Sequence, residues 1–590
     1  MIIAALCLFA VEQAVDQTEE NLLRNPSFHE SLESWKLLPS DSMIQIAIID
    51  NAPAAEISVP DTAPIGFPCL WQEFPAQPGD VFQGSAEVKR IMGKDGHGAY
   101  LSIENIDAQG NRLGFTQSDS ADIDGAWSSL RVRTQCLPGT ASVRMLLLLN
   151  GHGKAFFRNT SFIKVPPKPA TPDVNPVTIT VTQETACKEF LGFGFEDDGW
   201  FYNSENLQPN ITETDIKLRE KRIRWMRPDW VRMFFWYKDW MPQEENAPFT
   251  FESENMQSHY KTLAIYERLG AAVNVVGVEW GLADIYRKPE HTANAIGELL
   301  EYLKKKKKFR CVKYWTLTNE PNLWFLQHGY SFDDFVRMHQ LVKKEITKRN
   351  LDIRVVGSDE TNGGTNFFRR CVQNPEYFRT ADVFASHRYL SVAERDLASE
   401  FFKERLELLN SMTPQKPFVV AEFGFQDSRA SHLLNPVMES YPYALWTAAF
   451  AIQGLNLGVS GYSIWCLHEV FYPGKAWMNY GLWDGKHNNW NPRSVFYAWS
   501  MFTRLTKAGD TVWRCLSASP DTVEAARVGN KLFWVNQRDK SAQLQIEGMS
   551  VRRVSVFSEK SIAENPEKYD SHIVKNNIFD VPPLSFGYAQ

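Results

Sequence analysis

Metal-binding spacings are missing from this chain. Its eight cysteines, at 7, 69, 136, 187, 311, 371, 466 and 515, never form a CxxC pair, and its 12 histidines form neither HxxxH nor HExxH. The sequence therefore offers no zinc centre. It also lacks GxSxG, which removes a serine nucleophile on a strand-to-helix elbow. Basic charge is not in excess: the net charge is -7, so neither nucleic acid nor an anionic membrane is indicated as partner. The one basic run, Lys304 to Lys308, ends a helical pattern and suits the negative end of a helix dipole. Beyond the first ten residues, no segment reaches transmembrane length without charges, so no membrane span is expected. Those first ten are apolar, too short to cross a bilayer and of the length of a secretory core. A basic lead is missing and Glu12-Gln13-Ala14 is a poor cleavage site. Residues 1–20 are nonetheless read as a signal segment, and the protein as secreted, periplasmic or on the cell surface.

What the chain does have is aromatic residues, 13% with 19 Trp in 590 residues. Indoles serve as large packing groups, and their faces also stack on sugar rings. A chain this long exceeds one core, so two to four domains are expected. Residues 21–165 read as short alternating strands between Gly, Pro, Asn and Asp turns, a β-sandwich pattern. Five prolines between Pro166 and Pro176 mark a semi-rigid linker, 166–176. Residues 177–509 alternate strands with helices. Strand-like runs fall at 191–195, 230–235, 272–278, 312–318, 353–357, 383–386, 418–421 and 461–465. Helical patterns between them include 331–348, opened by the cap-like Ser331 and Asp334, 397–409, and 256–269, closed by Gly270. Eight such units predict a (β/α)8 TIM barrel, with chemistry at the C-terminal strand ends. Residues 510–590 return to short strands, a small β-sandwich to which Thr178–Thr182 offers a further strand. The fold class is thus multidomain, a central TIM barrel between two β-sandwiches.

The fourth run ends in Asn319-Glu320-Pro321-Asn322. Alone this is also an ordinary turn. The seventh run is followed by Glu422 and Gly424, the glycine expected to let the chain turn away. Two carboxylates over one barrel mouth suit glycosidic chemistry, one protonating the leaving oxygen and the other acting at the anomeric carbon. Other acids near strand ends carry no assigned role: Glu196, Asp197, Asp198, Glu279, Asp359 and Glu360. Such acids suit either bonding to substrate hydroxyls or a place in solvated loops, and Asp198 and Glu360 are read as loop carboxylates in water.

Asn-Glu-Pro closing strand four with a Glu after strand seven resembles the retaining glycoside hydrolases of clan A, most of all families 39, 5 and 30. The likeness implies Glu320 as acid/base, Glu422 as nucleophile and Asn319 on the sugar 2-hydroxyl. It implies Arg232 and Tyr389 on the nucleophile, His387 on the sugar or the acid/base, and Trp465 as the floor of the sugar site. It also implies a carbohydrate substrate and no cofactor. Residues Asn21 to Trp35 resemble the opening of jelly-roll carbohydrate-binding modules. Where that family often holds a structural calcium with an acidic pair, Arg158 and Asn159 stand instead, which puts the calcium in doubt. Trp35, Trp71 and Trp127 are expected as sandwich core, with sugar binding as the other use. Cys69 and Cys136 share this region and are a candidate pair. The activity expected is retaining hydrolysis of a β-linked polysaccharide or oligosaccharide. The alternatives are a non-catalytic sugar binder on a degenerate barrel and a transglycosylase using the same residues. The sugar, endo or exo action and the oligomeric state stay open.

Overall fold

Eight parallel strands close on themselves at the centre of the chain: β1 (Gly192–Glu196), β2 (Trp230–Trp236), β3 (Ala272–Val278), β4 (Val312–Thr316), β5 (Arg354–Glu360), β6 (Val383–Ser391), β7 (Phe418–Gln426) and β8 (Gly461–Ile464). The computed structural model describes residues 20–590 except 40–42, 119, 122–124, 167–173, 205–209, 243–246, 280–284, 324–329, 362–364, 428, 432, 472–476 and 565–569, with backbone alone at 92–95, 97, 199, 365–366 and 563–564. Residues 1–19 of the segment read as a signal, most of the proline-rich linker and the aromatic residues Trp280, Trp324 and Phe325 lie outside the described residues. Among those described, no helix is long and apolar enough to cross a membrane.

The helices form where their caps and apolar spacings put them. Ser331 accepts from the backbone of Asp334, whose carboxylate returns the bond, and the helix Phe332–Lys348 follows, burying Phe335, Met338, Val342 and Ile346. The helix Glu254–Leu269 stops at Gly270, whose φ of 73° is the left-handed value that ends helices. The lower interior of the barrel is apolar, filled by Leu191, Trp230, Tyr314, Val356, Val383, Ala385, Val419 and Ala421. This layer is the floor on which a polar layer stands.

The N-terminal sandwich is built on two unusually long strands, Val81–Ile106 and Ser142–Lys164, paired antiparallel along their length. Both bend at glycines with positive φ, Gly96 and Gly98 on one and Gly151 and Gly153 on the other. Each long strand thereby serves two sheets. One half carries Cys69–Pro75, Lys36–Leu38 and Arg112–Gln117; the other carries Ala52–Val59, Ile44–Ile49 and Trp127–Gln135. Trp35 lies in the core against Phe28. Trp71 and Trp127 do not. They stand half-buried on outer faces beneath cations, Lys36 and Arg144 over Trp71 and Arg158 over Trp127. Cys69 and Cys136 are both free, because Cys69 faces an outer cluster with Tyr100 while Cys136 faces the core. Arg158 pairs with Glu87 at 2.6 Å, and Asn159 donates to the same carboxylate.

In the C-terminal sheet of nine strands, Val177–Thr185 lies between Val512–Ser517 and Ala542–Glu547. Its two edge strands, Asp570–Ile573 and Ile578–Val581, are neighbours in sequence. A turn that short requires the sheet to curl back on itself around its core.

Candidate active site

Arg232, on β2, is fully buried above the apolar floor and ties four strands together. Its Nη1 donates to Glu422 Oε1 and, at 3.0 Å, to Glu196 Oε2; its Nη2 donates to Asn319 Oδ1 at 2.6 Å and to Asp359 Oδ2 at 2.7 Å. A guanidinium has five donors in a rigid fork, which is why one residue can register so many acceptors. Glu422 also accepts from the Tyr389 hydroxyl, at 2.9 Å to Oε2. Tyr389 and His387 alternate on β6 and so share the inner face. His387 Nδ1 lies 3.0 Å from Glu320 Oε1 and 3.7 Å from Glu422 Oε2, and its Nε2 lies 3.2 Å from Asp359 Oδ1. An oxygen of Glu320 and one of Glu422 lie within 4.8 Å of each other.

Local backbone sets these positions. The β4 ladder ends at Thr316, two residues short of the run read from the sequence, and Glu320 follows in a turn. Glu320 and Asp359 both have positive φ, 50° and 57°, and the Glu320 N–H donates to the Asp359 carbonyl at 3.1 Å. Left-handed backbone costs a non-glycine residue on the order of 1–2 kcal/mol, and each of these turns braces the other. Glu422 lies inside β7, which continues to Gln426, rather than at its end. Gly424 does not turn the chain. A Cβ there would lie 3.3 Å from the Tyr389 ring and 2.9 Å from the Tyr443 hydroxyl, so the glycine makes room for the two tyrosines.

Burial and charge decide the protonation of this layer. Burial alone would lower His387, but Glu422, Asp359 and Glu320 outweigh it and raise it to about 10. It is therefore an imidazolium at neutral pH. Asp359 is buried too, yet Arg232 and His387 pull it down to about 2. Burial pushes Glu422 up, against His387 and Arg232, which favour its charged form. Glu196, lacking enough compensation from Arg232, is raised by burial to about 8 and is neutral below that pH. Among the described residues, two donor sets are compact enough for a metal: Glu320 with His387 and Glu422, and Glu439 with Glu469 and Asp484. In the first, Glu422 already accepts from Arg232 and Tyr389; in the second, all three acids surround the Arg493 guanidinium.

All seven residues singled out from the sequence are in this region. Arg232, Asn319, Glu320, His387, Tyr389 and Glu422 form one hydrogen-bonded group, and Trp465, just past β8, packs on Phe234 with ring centroids 5.5 Å apart. Asp359 joins the group as a full member although the sequence carried no signal beyond its place after a strand. Asp198 and Glu360, expected in water, are buried. Glu360 faces outward, where Ser358, Ser386 and Arg405 satisfy it. Of the aromatic residues in the loops past the strands, Phe201, Tyr237, Trp240, Trp483 and Trp490 are buried packing groups. Trp200 and Trp236, at 4.7 Å, continue the Trp465–Phe234 row. Phe234 and Trp236 share a face of β2 with Arg232, so the row climbs from the charged group toward solvent.

This is a TIM barrel whose strand ends carry one connected acid–base group. No protein-family model and no curated protein matches the chain. Solved structures do, over 70% of its length in the three named next. A conserved exported protein from Bacteroides fragilis aligns over 99% of its own chain at 12% identity and TM-score 0.54. The monomeric beta-xylosidase from Caulobacter crescentus CB15 aligns over 98% at 12% identity and TM-score 0.50. The catalytic domain of GH30 xylanase C from Talaromyces cellulolyticus aligns over 99% at 11% identity and TM-score 0.52. At such identities the likeness is one of fold.

Proposed function

We propose that the protein is a retaining β-glycoside hydrolase acting on a β-linked saccharide. The observation that carries this reading is the pair of carboxylates, Glu320 and Glu422, with oxygens within 4.8 Å of each other. Retaining enzymes hold their two carboxyl groups about 5–5.5 Å apart, whereas inverting ones need roughly 6.5–9.5 Å to admit a water. In the first step Glu320 protonates the glycosidic oxygen as Glu422 attacks the anomeric carbon, giving a covalent glycosyl ester and a released alcohol. In the second, Glu320 as carboxylate takes a proton from water, which attacks the same carbon and frees Glu422. Arg232 and Tyr389 orient the nucleophile as an anion. Asn319 spends its Oδ1 on Arg232, so its amide donors are what it offers a sugar 2-hydroxyl. Trp465 supplies an apolar face beneath the ring.

The xylosidase and the xylanase that share this fold make aryl β-xylosides the first substrates to test, followed by glucosides, mannosides and galactosides. Glu422→Ala should abolish turnover. Glu320→Ala should slow phenyl glycosides by about 10²–10⁴-fold while sparing dinitrophenyl glycosides, whose leaving group needs no proton. Near-normal hydrolysis by the Glu422→Ala protein, or an inverted first product by NMR, would sink the assignment.

A further inference from the structure

Glu196, Asp197 and Asp198 leave β1 in succession, and alternation sends the middle one the other way. Asp197 turns out toward Arg219, at 2.5 Å, and the Tyr266 hydroxyl. Glu196 turns in to Arg232. Asp198 is buried and extended, with φ -66° and ψ 112°, on the residue before a short 3₁₀ turn. An aspartate there ordinarily caps the turn, but this one makes no capping bond. Neither of its carboxylate oxygens has a partner among the described residues. Among the described residues no other acid is left with both oxygens buried and unpartnered. Buried polar groups are nearly always satisfied, so such a group needs an explanation. Its surroundings indicate one. Glu196 precedes it by two residues on the same face, and Glu422 is near enough for its charge to act on it. Two residues on, Trp200 packs against Phe234 and Trp236, in the row that begins at Trp465. The indole N–H groups of Trp200 and Trp236 are likewise without partners among the described residues.

We propose that Asp198 binds a vicinal diol of the sugar ring that sits against Glu422, with the Trp200–Trp236 wall beside it. A carboxylate presents two oxygens at the spacing of two neighbouring hydroxyls, and a pyranose offers such pairs around its rim. The aromatic row supplies the apolar face that a sugar ring also needs. Asp198 is thus a specificity-determining residue. It selects rings whose hydroxyls at carbons 3 and 4 can both reach it, carbon 2 being left to Asn319. Burial holds its carboxyl well above the ordinary range in the free protein, and the diol supplies the partners that the protein does not.

The inference rests on the carbohydrate reading of the site, and binding tests it apart from turnover. Calorimetry on the Glu422→Gln protein would use methyl β-D-xylopyranoside, methyl β-D-glucopyranoside and their 3-deoxy and 4-deoxy analogues. The expected result is that a parent glycoside binds about 10–100-fold more tightly than at least one deoxy analogue. Adding Asp198→Asn should weaken the parent by a similar factor and shrink the discrimination to within about threefold. Asp198→Ser is the second variant should the first not fold, with thermal unfolding as the check. The proposal is overturned if no methyl glycoside binds, or if the deoxy discrimination survives in the variants, as it would for a merely structural aspartate. An inactive wild type that still binds in an Asp198-dependent way would instead refute hydrolysis and leave this inference standing. An active wild type indifferent to Asp198 would do the reverse.

Discussion

Among the described residues His387 is the one histidine that faces three carboxylates at once, and its titration has a direction. Its folded value, about 10, lies above its ordinary 6.5, so the folded state holds the proton more tightly than the unfolded chain. The stability this contributes is complete below about pH 6.5 and is lost as pH rises through about 10. Glu196, raised to about 8 from 4.5, acts in the same direction over a lower window, so the two separate above pH 8. We expect the melting temperature to fall between pH 8 and pH 10, and His387→Gln to flatten that fall. Parallel slopes in the two proteins would count against the imidazolium. Asp359 has the opposite sign. Its value is depressed to about 2, so its contribution is present above its ordinary 3.8 and is lost as pH drops toward 2. Glu196→Gln should leave stability unchanged near pH 5 and raise the melting temperature at pH 9, because the amide has no proton to lose.

The strands carry features that no side-chain pattern announces. Between β6 and β7 the register slips, so that Val420 opposes Ser386 while Glu422 opposes His387, leaving Ala421 as an extra residue. Between β5 and β6 the extra residue is Asp359. Bulges re-aim side chains, and these two bring Glu422 and Asp359 onto Arg232. The strands themselves were legible, because buried parallel strands read as apolar runs. Their ends were less so, as at β4 and β7, since a ladder stops or continues according to its neighbours. Gly194 shows how closely those neighbours approach. A Cβ at Gly194 would lie 1.3 Å from the Trp230 carbonyl on β2. Gly194→Ala should therefore destabilise by about 3 kcal/mol or more and deplete soluble protein. A melting temperature within about 2 °C of wild type would contradict this packing.

The molecule divides its apolar cores unequally. One cluster runs through the barrel and takes in Val512, Phe533, Val535, Phe557 and Phe586 of the C-terminal sheet. The N-terminal sandwich has a cluster of its own. It meets the barrel through ion pairs such as Arg131–Glu400 and Arg133–Asp396, and through a bond from Ser391 to the Arg133 carbonyl. Partly exposed ion pairs contribute little, about 0–1 kcal/mol each. Scanning calorimetry should show one transition for the sandwich and another for the barrel with its C-terminal sheet. Removing residues 20–165 should delete only the first. A single transition lost as a whole would show the two cores to be coupled.

Periodicity and local motifs suffice to place the eight strands and the caps at Ser331 and Gly270, and to single out Glu320 and Glu422 as a pair, because these depend on neighbours along the chain. Trp35 as core and Trp71 as surface cannot be told apart in that way, since both stand among alternating residues and only the folded sheet has an inside. The same holds for Asp197, Asp198, Asp359 and Glu360. Each is an acid just past or at the end of a strand, and which of them faces the axis depends on the register of strands far away in sequence. Long-range pairing sets that register, through two bulges and one arginine.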